Sequence, residues 1–217
     1  MSRPLLILPL GSTEQHGPHL PVETDTIIID AVVAQCAKNE SPDIHIAPTM
    51  NVTASDEHLG FPGTLSIGTE ATTSAVVALC RSASNWARGV LIVNGHGGNH
   101  DALVATSSAL TFEGVAHRVW NLPAYNGADM HAGHTETSLM LHIAPHLVNR
   151  EAIEPGNTSS ASELIATMRS GGVHSVSANG VLGDPTTATA EHGAQVLRFY
   201  TQSLNSAIAQ CLNDWTA

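Results

Sequence analysis

The residues with the greatest capacity for chemistry lie between Gly11 and Asp25, where Glu14, His16, His19, Glu23 and Asp25 crowd one short stretch. Gly17, Pro18 and Pro21 exclude a regular helix there, so an irregular, fixed backbone must present these side chains. A mixture of carboxylate and imidazole donors suits zinc, manganese or iron(II), and a carboxylate can bridge two ions. Acids and histidines in a loop are often mere surface decoration. Here an apolar run, Leu5 to Leu10, feeds the loop and its glycines permit close packing, which favours a metal site.

A second candidate is His96 in Asn94-Gly-His-Gly-Gly-Asn99, where glycine on each side lets the backbone approach an ion or substrate closely. A tight strand-to-helix turn with an incidental histidine is the plainer alternative. His100 falls in the first turn of the next helix, next to the centre at most. The third cluster holds Asp129, His131, His134 and Glu136, ahead of or within the first turn of an apolar helix, whose N–H groups and dipole favour anions. Helix capping by Thr135 or Ser138 is compatible with that role. His142 and His146 fall at the far end of the helix, where a cation suits the dipole.

The elements that must position these groups alternate in type. Strands are expected at Leu5 to Leu10, Ile44 to Ala47, Gly89 to Asn94 and Ala116 to Trp120. Helices are expected at Thr26 to Lys38, Thr69 to Ala87, Asn99 to Phe112, Thr135 to Ile143 and Thr189 to Trp215. The Gly- and Ser-rich stretch from Glu154 to Ser177 reads as a partly helical excursion. This alternation predicts a three-layer α/β/α fold on a mostly parallel central sheet, with residues 1–217 as one domain. In such sheets ligands bind beyond the carboxyl ends of strands, where the first two loops would converge.

Composition limits the partners. Hydrophobic residues are 42% and charged residues 12%, the balance of a packed globular chain and not a disordered one. The net charge is -11 and Lys38 is the only lysine, so the chain lacks the basic face that nucleic acid requires. Cys36, Cys80 and Cys211 are odd in number and widely spaced, which suggests buried free thiols and a reducing cytoplasm. No run is long enough for a membrane span, and the opening apolar run is too short for a signal-peptide core.

The clusters recur in a known order. The runs Gly-Ser-Thr-Glu14-Gln-His16-Gly-Pro-His-Leu-Pro with Asp25, Glu57-His58-Leu-Gly-Phe-Pro-Gly-Thr64, Asn94-Gly-His96-Gly-Gly-Asn99, His131-Ala-Gly-His-Thr-Glu136-Thr-Ser and Gly180-Val-Leu-Gly-Asp-Pro-Thr-Thr-Ala-Thr-Ala190 resemble the creatininase family. The resemblance spans nearly the whole chain, and it implies a three-layer α/β fold, a pair of divalent metal ions and hexamers built as trimers of dimers. It further implies Glu14, His16, Asp25 and His96 as metal ligands with Asp25 bridging, and His131 as the proton-transfer residue. Ser55, His58 and Gly97 correspond to substrate-contacting positions. His19 and Glu23 then drop to supporting roles.

One departure bears on the substrate. Creatininase itself has a glutamate two residues after the strand-end histidine, where this chain has Gly98, and tryptophans where it reads Pro123 to Met130. Glu136 is the expected replacement ligand, and creatinine is not the expected substrate. The run from His131 to Leu141 is most similar to the peptidase branch of mycofactocin maturation, which releases a modified C-terminal Val-Tyr unit from a small precursor peptide. Two other readings remain. Deformylation of a ribosylaminopyrimidine phosphate would require a basic cluster, yet the arginines are scattered and absent from the motif loops. A metal-binding scaffold without activity would not need the surplus histidine.

Overall fold

The computed structural model describes residues 3–36 and 43–215. Four parallel strands, β1 (Leu5–Leu10), β2 (Ile44–Ile46), β3 (Gly89–Asn94) and β4 (His117–Asn121), form a sheet in the order β2-β1-β3-β4. β1 and β3 occupy the centre in a register that pairs Leu5 with Gly89 and Leu10 with Asn94. Both strands are buried throughout, because helices cover both faces and leave no polar alternation in the sequence.

The helices are α1 (Thr24–Cys36), α2 (Gly68–Ala83), α3 (His100–Phe112), α4 (His134–Ile143), α5 (Ala161–Gly171) and α6 (Ala190–Asp214). Successive residues of a strand point to opposite faces, and the core divides accordingly. Leu5, Ile7, Leu91 and Val93 pack with Ile28 and Val32 of α1, Met140 of α4 and Leu204 of α6. Leu6, Leu8, Val90 and Ile92 pack with Val76 and Cys80 of α2 and Leu103 and Leu110 of α3. The fold is thus the expected three-layer α/β/α arrangement. A third, smaller cluster joins Leu164 of α5 to Val173 and Leu182 beside Phe61, Met130 and Met168.

The chain leaves β1 towards β2 on one side and returns to place β3 on the other, so the carboxyl ends of β1 and β3 flank a topological switch point. Two boundaries differ from expectation. α1 starts at Thr24, so Asp25 stands in its first turn and not in the preceding loop. α2 stops at Ala83, short of Ala87, because the Asn85 side chain donates to the Arg81 and Ser82 carbonyls and competes with helix propagation. Lys38, expected as the end of α1, lies outside the described residues. No disulfide joins the cysteines, and Cys80 and Cys211 are buried. No helix among the described residues is long and apolar enough to cross a membrane.

Candidate metal centre

At the switch point the loop after β1, the first turn of α1 and the loop after β3 bring Glu14, His16, Asp25 and His96 together, all buried. Ligand atoms of Glu14, Asp25 and His96 lie within 4.8 Å of one another, as do those of His16, Asp25 and Glu136. Asp25 belongs to both groups. Its Oδ1 faces His16 Nε2 at 3.2 Å and its Oδ2 faces His96 Nδ1 at 2.9 Å. Ser12 Oγ donates to Oδ2 at 2.8 Å and holds the carboxylate in this straddling position.

Each of the two histidines has one nitrogen committed to a backbone carbonyl. His16 Nδ1 donates to Glu14 O at 3.1 Å, and His96 Nε2 donates to Ala54 O at 2.8 Å. That leaves His16 Nε2 and His96 Nδ1 turned towards Asp25, the orientation a backbone acceptor imposes on a metal-binding imidazole. The β3 loop is fixed from beneath: Asn94 Nδ2 donates to His96 O at 2.7 Å, and Asn99 Nδ2 donates to Asn94 Oδ1 at 3.0 Å.

Burial and close opposite charges perturb the titration of every donor at the centre. Burial pushes Glu14 up to about 8, aided by Asp25 and opposed by His96 and His16. Burial also disfavours charge on His16 and His96, yet the neighbouring carboxylates prevail and raise each to about 10. Burial would raise Asp25, but His16 and His96 hold it well below the usual carboxylate range. Burial pushes Glu136 up to about 7. Glu14 Oε2 is buried without a hydrogen-bond partner, although His96 Nε2 stands 3.2 Å away with its hydrogen directed elsewhere. A buried carboxyl oxygen left unpaired costs about 1–3 kcal/mol unless a donor or a cation meets it. The donor set and the orphaned oxygen fit divalent metal ions.

Two further histidines, His131 and His58, adjoin the centre. His131 lies between the His16 and His58 rings, with centroids 4.3 and 4.4 Å away. Its Nε2 meets the Gln15 carbonyl at 2.8 Å, so that nitrogen carries hydrogen and Nδ1, 3.8 Å from Glu14 Oε1, is the free acceptor. Burial and the adjacent His16 and His58 hold His131 well below its ordinary value, hence neutral. Ala132 takes a left-handed φ of 52° and fixes the direction of His131; its N–H donates to Glu136 Oε2 at 2.6 Å. His58 Nε2 lies 3.3 Å from Glu14 Oε1, and burial lowers His58 to about 3.

Other positions take different places. Ser55 is fully buried beneath His96, 3.3 Å from its Nε2, and does not line the cavity, whereas His58 and Gly97 do. His19 Nε2 meets Thr137 Oγ1 at 2.8 Å behind the centre, and Glu23 and His100 are exposed. His134 turns away to His192, 2.9 Å between ring nitrogens. The amino end of α4 is capped by Asp129, whose carboxylate accepts from the His134 and Thr135 amides, so neither Thr135 nor Ser138 performs that task.

Gln15 and Glu57 stand in the quoted motifs, but the sequence assigns them no role. Gln15 Nε2 contacts His58 at 2.8 Å and the Gly180 carbonyl at 3.1 Å, tying two distant motifs to one ring of histidines. Its place between two donor residues, Glu14 and His16, was the only signal. Glu57 Oε1 lies 3.8 Å from His96 Nε2 and fills the space beside Gly98: a Cβ there would fall 2.1 Å from it. The cavity over these groups has a volume of about 210 Å³, with Met130, Met168, Val173 and Leu182 as its apolar wall.

The family described as Creatininase: Creatinine amidohydrolase matches residues 1–208. The mycofactocin precursor peptide peptidase of Mycolicibacterium smegmatis is 49% identical over 197 residues, 89% of this chain and 79% of that protein. Its namesake in Mycobacterium tuberculosis is 48% identical over 201 residues, 89% and 80% of the two chains. Among solved structures, a tryptophan-to-phenylalanine variant of creatininase superposes with a TM-score of 0.77 at 24% identity, covering 98% of this chain and 92% of its own. Other creatininase structures of the same fold are described as a Zn–Zn type and as a Mn form.

Proposed function

This chain belongs to the creatininase family of amide-bond hydrolases, and on that premise we propose that it is a metal-dependent peptidase that releases the modified C-terminal Val-Tyr unit of a mycofactocin-type precursor peptide. The observation that carries the reading is Asp25, shared between two groups of donors that are buried except for the half-buried Glu136. Glu14, Asp25 and His96 would hold one divalent ion, and His16, Asp25 and Glu136 the other, with zinc, manganese and iron(II) all suited to these donors. A pair of ions so held supplies Lewis acidity at the scissile carbonyl and a water acidic enough to attack at neutral pH.

The protein's own groups do the remainder. Ser12 fixes the bridging carboxylate, and the Glu14 and Ala54 carbonyls fix the two imidazoles. His131, neutral and with Nδ1 free, accepts a proton at that nitrogen and returns it to the departing amide nitrogen. Met130, Met168, Val173 and Leu182 exclude water around the bond and suit an apolar C-terminal unit. Carboxylates face this cavity, and none of its described lining residues is lysine or arginine, which disfavours a phosphate-bearing substrate. The same reading includes a homo-oligomer, the hexamer that the family resemblance implies.

The test is incubation of the metal-reconstituted protein with the modified precursor peptide, with products identified by mass. Release of the C-terminal unit is expected, and His131→Ala should retain metal while turnover falls by roughly 10²–10⁴-fold. Intact peptide after incubation with the loaded wild-type protein overturns the reading; full turnover by His131→Ala removes the role given to that residue.

A further inference from the structure

The catalytic cavity is too small for its substrate. A volume of about 210 Å³ is below the roughly 300–1,000 Å³ usual for drug-sized ligands, so a peptide cannot be contained in it. The apolar end, walled by Met130, Met168, Val173 and Leu182, is assigned to the released unit, and the rest of the precursor must leave the cavity along some surface.

A second depression of about 610 Å³ shares Glu57, Gly97, Gly98 and Met168 with the cavity and continues outward from it. Its floor is the glycine pair that follows His96. A Cβ at Gly97 would meet nothing within 4 Å, so the backbone here is open to close approach by another chain. One wall is the turn at Asp56–His58 with Asp101 of α3; the other is α5, which presents Ile165 and Arg169. Such a channel offers acceptors on one side, a guanidinium and an aliphatic side chain on the other, and a bare backbone between them. That is the chemistry that recognises an extended main chain with modest demands on its side chains.

We propose that this groove binds, in extended form, the segment of the substrate peptide on the amino-terminal side of the scissile bond, while the apolar cavity takes the released C-terminal unit. The assignment rests on the peptidase reading above and adds a direction to it. The bond to be cut lies over the metal centre, with Glu57 and the two glycines at the passage between compartments. Binding energy gathered in the groove, remote from the reacting atoms, is then available to position that bond.

The experiment is a length series on the metal-loaded protein: the same modified C-terminal unit preceded by one, two, four or six residues of precursor. kcat/KM should climb at least about tenfold from the shortest to the longer substrates and then level off. The ratio of long to short substrate within Asp101→Ala and Arg169→Ala should collapse towards one, a comparison that cancels any general loss of folded enzyme. The shortened peptide product should inhibit the wild type competitively and the variants less. Cleavage at equal efficiency for every length, or a ratio preserved in both variants, overturns the groove assignment and leaves the peptidase reading standing. No cleavage at any length overturns both.

Discussion

The floor and the outer lip of the cavity are built by different means. The floor comprises the loops after β1 and β3, where buried polar groups hold one another: Ser12 on Asp25, Asn94 on the backbone of His96, and Gln15 between His58 and Gly180. The lip is α5 and the following turn, attached through a small apolar cluster of Leu164, Val173 and Leu182. Networks of satisfied buried polar groups specify one geometry, whereas a small apolar contact permits adjustment. The floor is therefore suited to chemistry that depends on tenths of an ångström, and the lip to selection among substrates.

Three substitutions would break or sharpen this contrast. The largest effect is expected from Gly98→Ala on the floor. Its Cβ would lie 2.1 Å from Glu57 Oε1, 2.4 Å from His96 Nε2 and 2.7 Å from the Ala54 carbonyl. Glu57 can swing aside, but the backbone that orients His96 cannot, so kcat should fall by about 10²-fold, as expected when a group at the chemistry is displaced by about an ångström. Unaltered kcat would show that the floor is more forgiving than its hydrogen bonds imply.

Leu164→Ala on the lip should behave otherwise. It empties one of the buried positions of the small cluster, at a cost of about 2–3 kcal/mol confined to α5. KM for the peptide should rise roughly tenfold with metal content unchanged, as judged by steady-state kinetics beside elemental analysis. Loss of metal in this variant would mean that floor and lip are one cooperative unit. The smallest effect belongs to Gly97→Ala, adjacent to Gly98 but open to space. Thermal stability should stay within about 0.5 kcal/mol of the wild type, and KM should rise only a few-fold as the methyl narrows the passage. An effect as large as that of Gly98→Ala would remove the distinction drawn between the two glycines.

The same contrast explains what could be read from sequence. The central strands were legible because burial on both faces leaves a continuous apolar run, and β1 and β3 fall where Leu5 to Leu10 and Gly89 to Asn94 placed them. Glu14, His16, Asp25 and His96 were legible because donors cluster at the ends of those runs and their order matches the family. Glu136 converges on His16 from α4, with 3.8 Å between Oε2 and Nε2, though it is distant in the chain. Less legible was anything set by long-range backbone contacts. The acceptors that orient His16 and His96, and the tautomers they impose, depend on carbonyls with no sequence signature. Ser55 shares its segment with His58 yet points beneath His96, a difference of turn geometry and not of residue type. The wall of Met130, Met168, Val173 and Leu182 comes from segments whose apolar residues show no common period.

Whether Asp25 joins two cation sites is decided by a calorimetric titration of the metal-free protein with a divalent metal, in two buffers of different ionisation enthalpy. Without metal, His16 and His96 lie near 10 and therefore carry protons at pH 7, where ligation requires their neutral forms. The wild type should bind two ions per chain with net proton release at pH 7, a release that shrinks as the pH rises towards 10. Asp25→Ala should bind fewer than two. A single ion bound without proton release, or two ions retained by Asp25→Ala, would contradict the account.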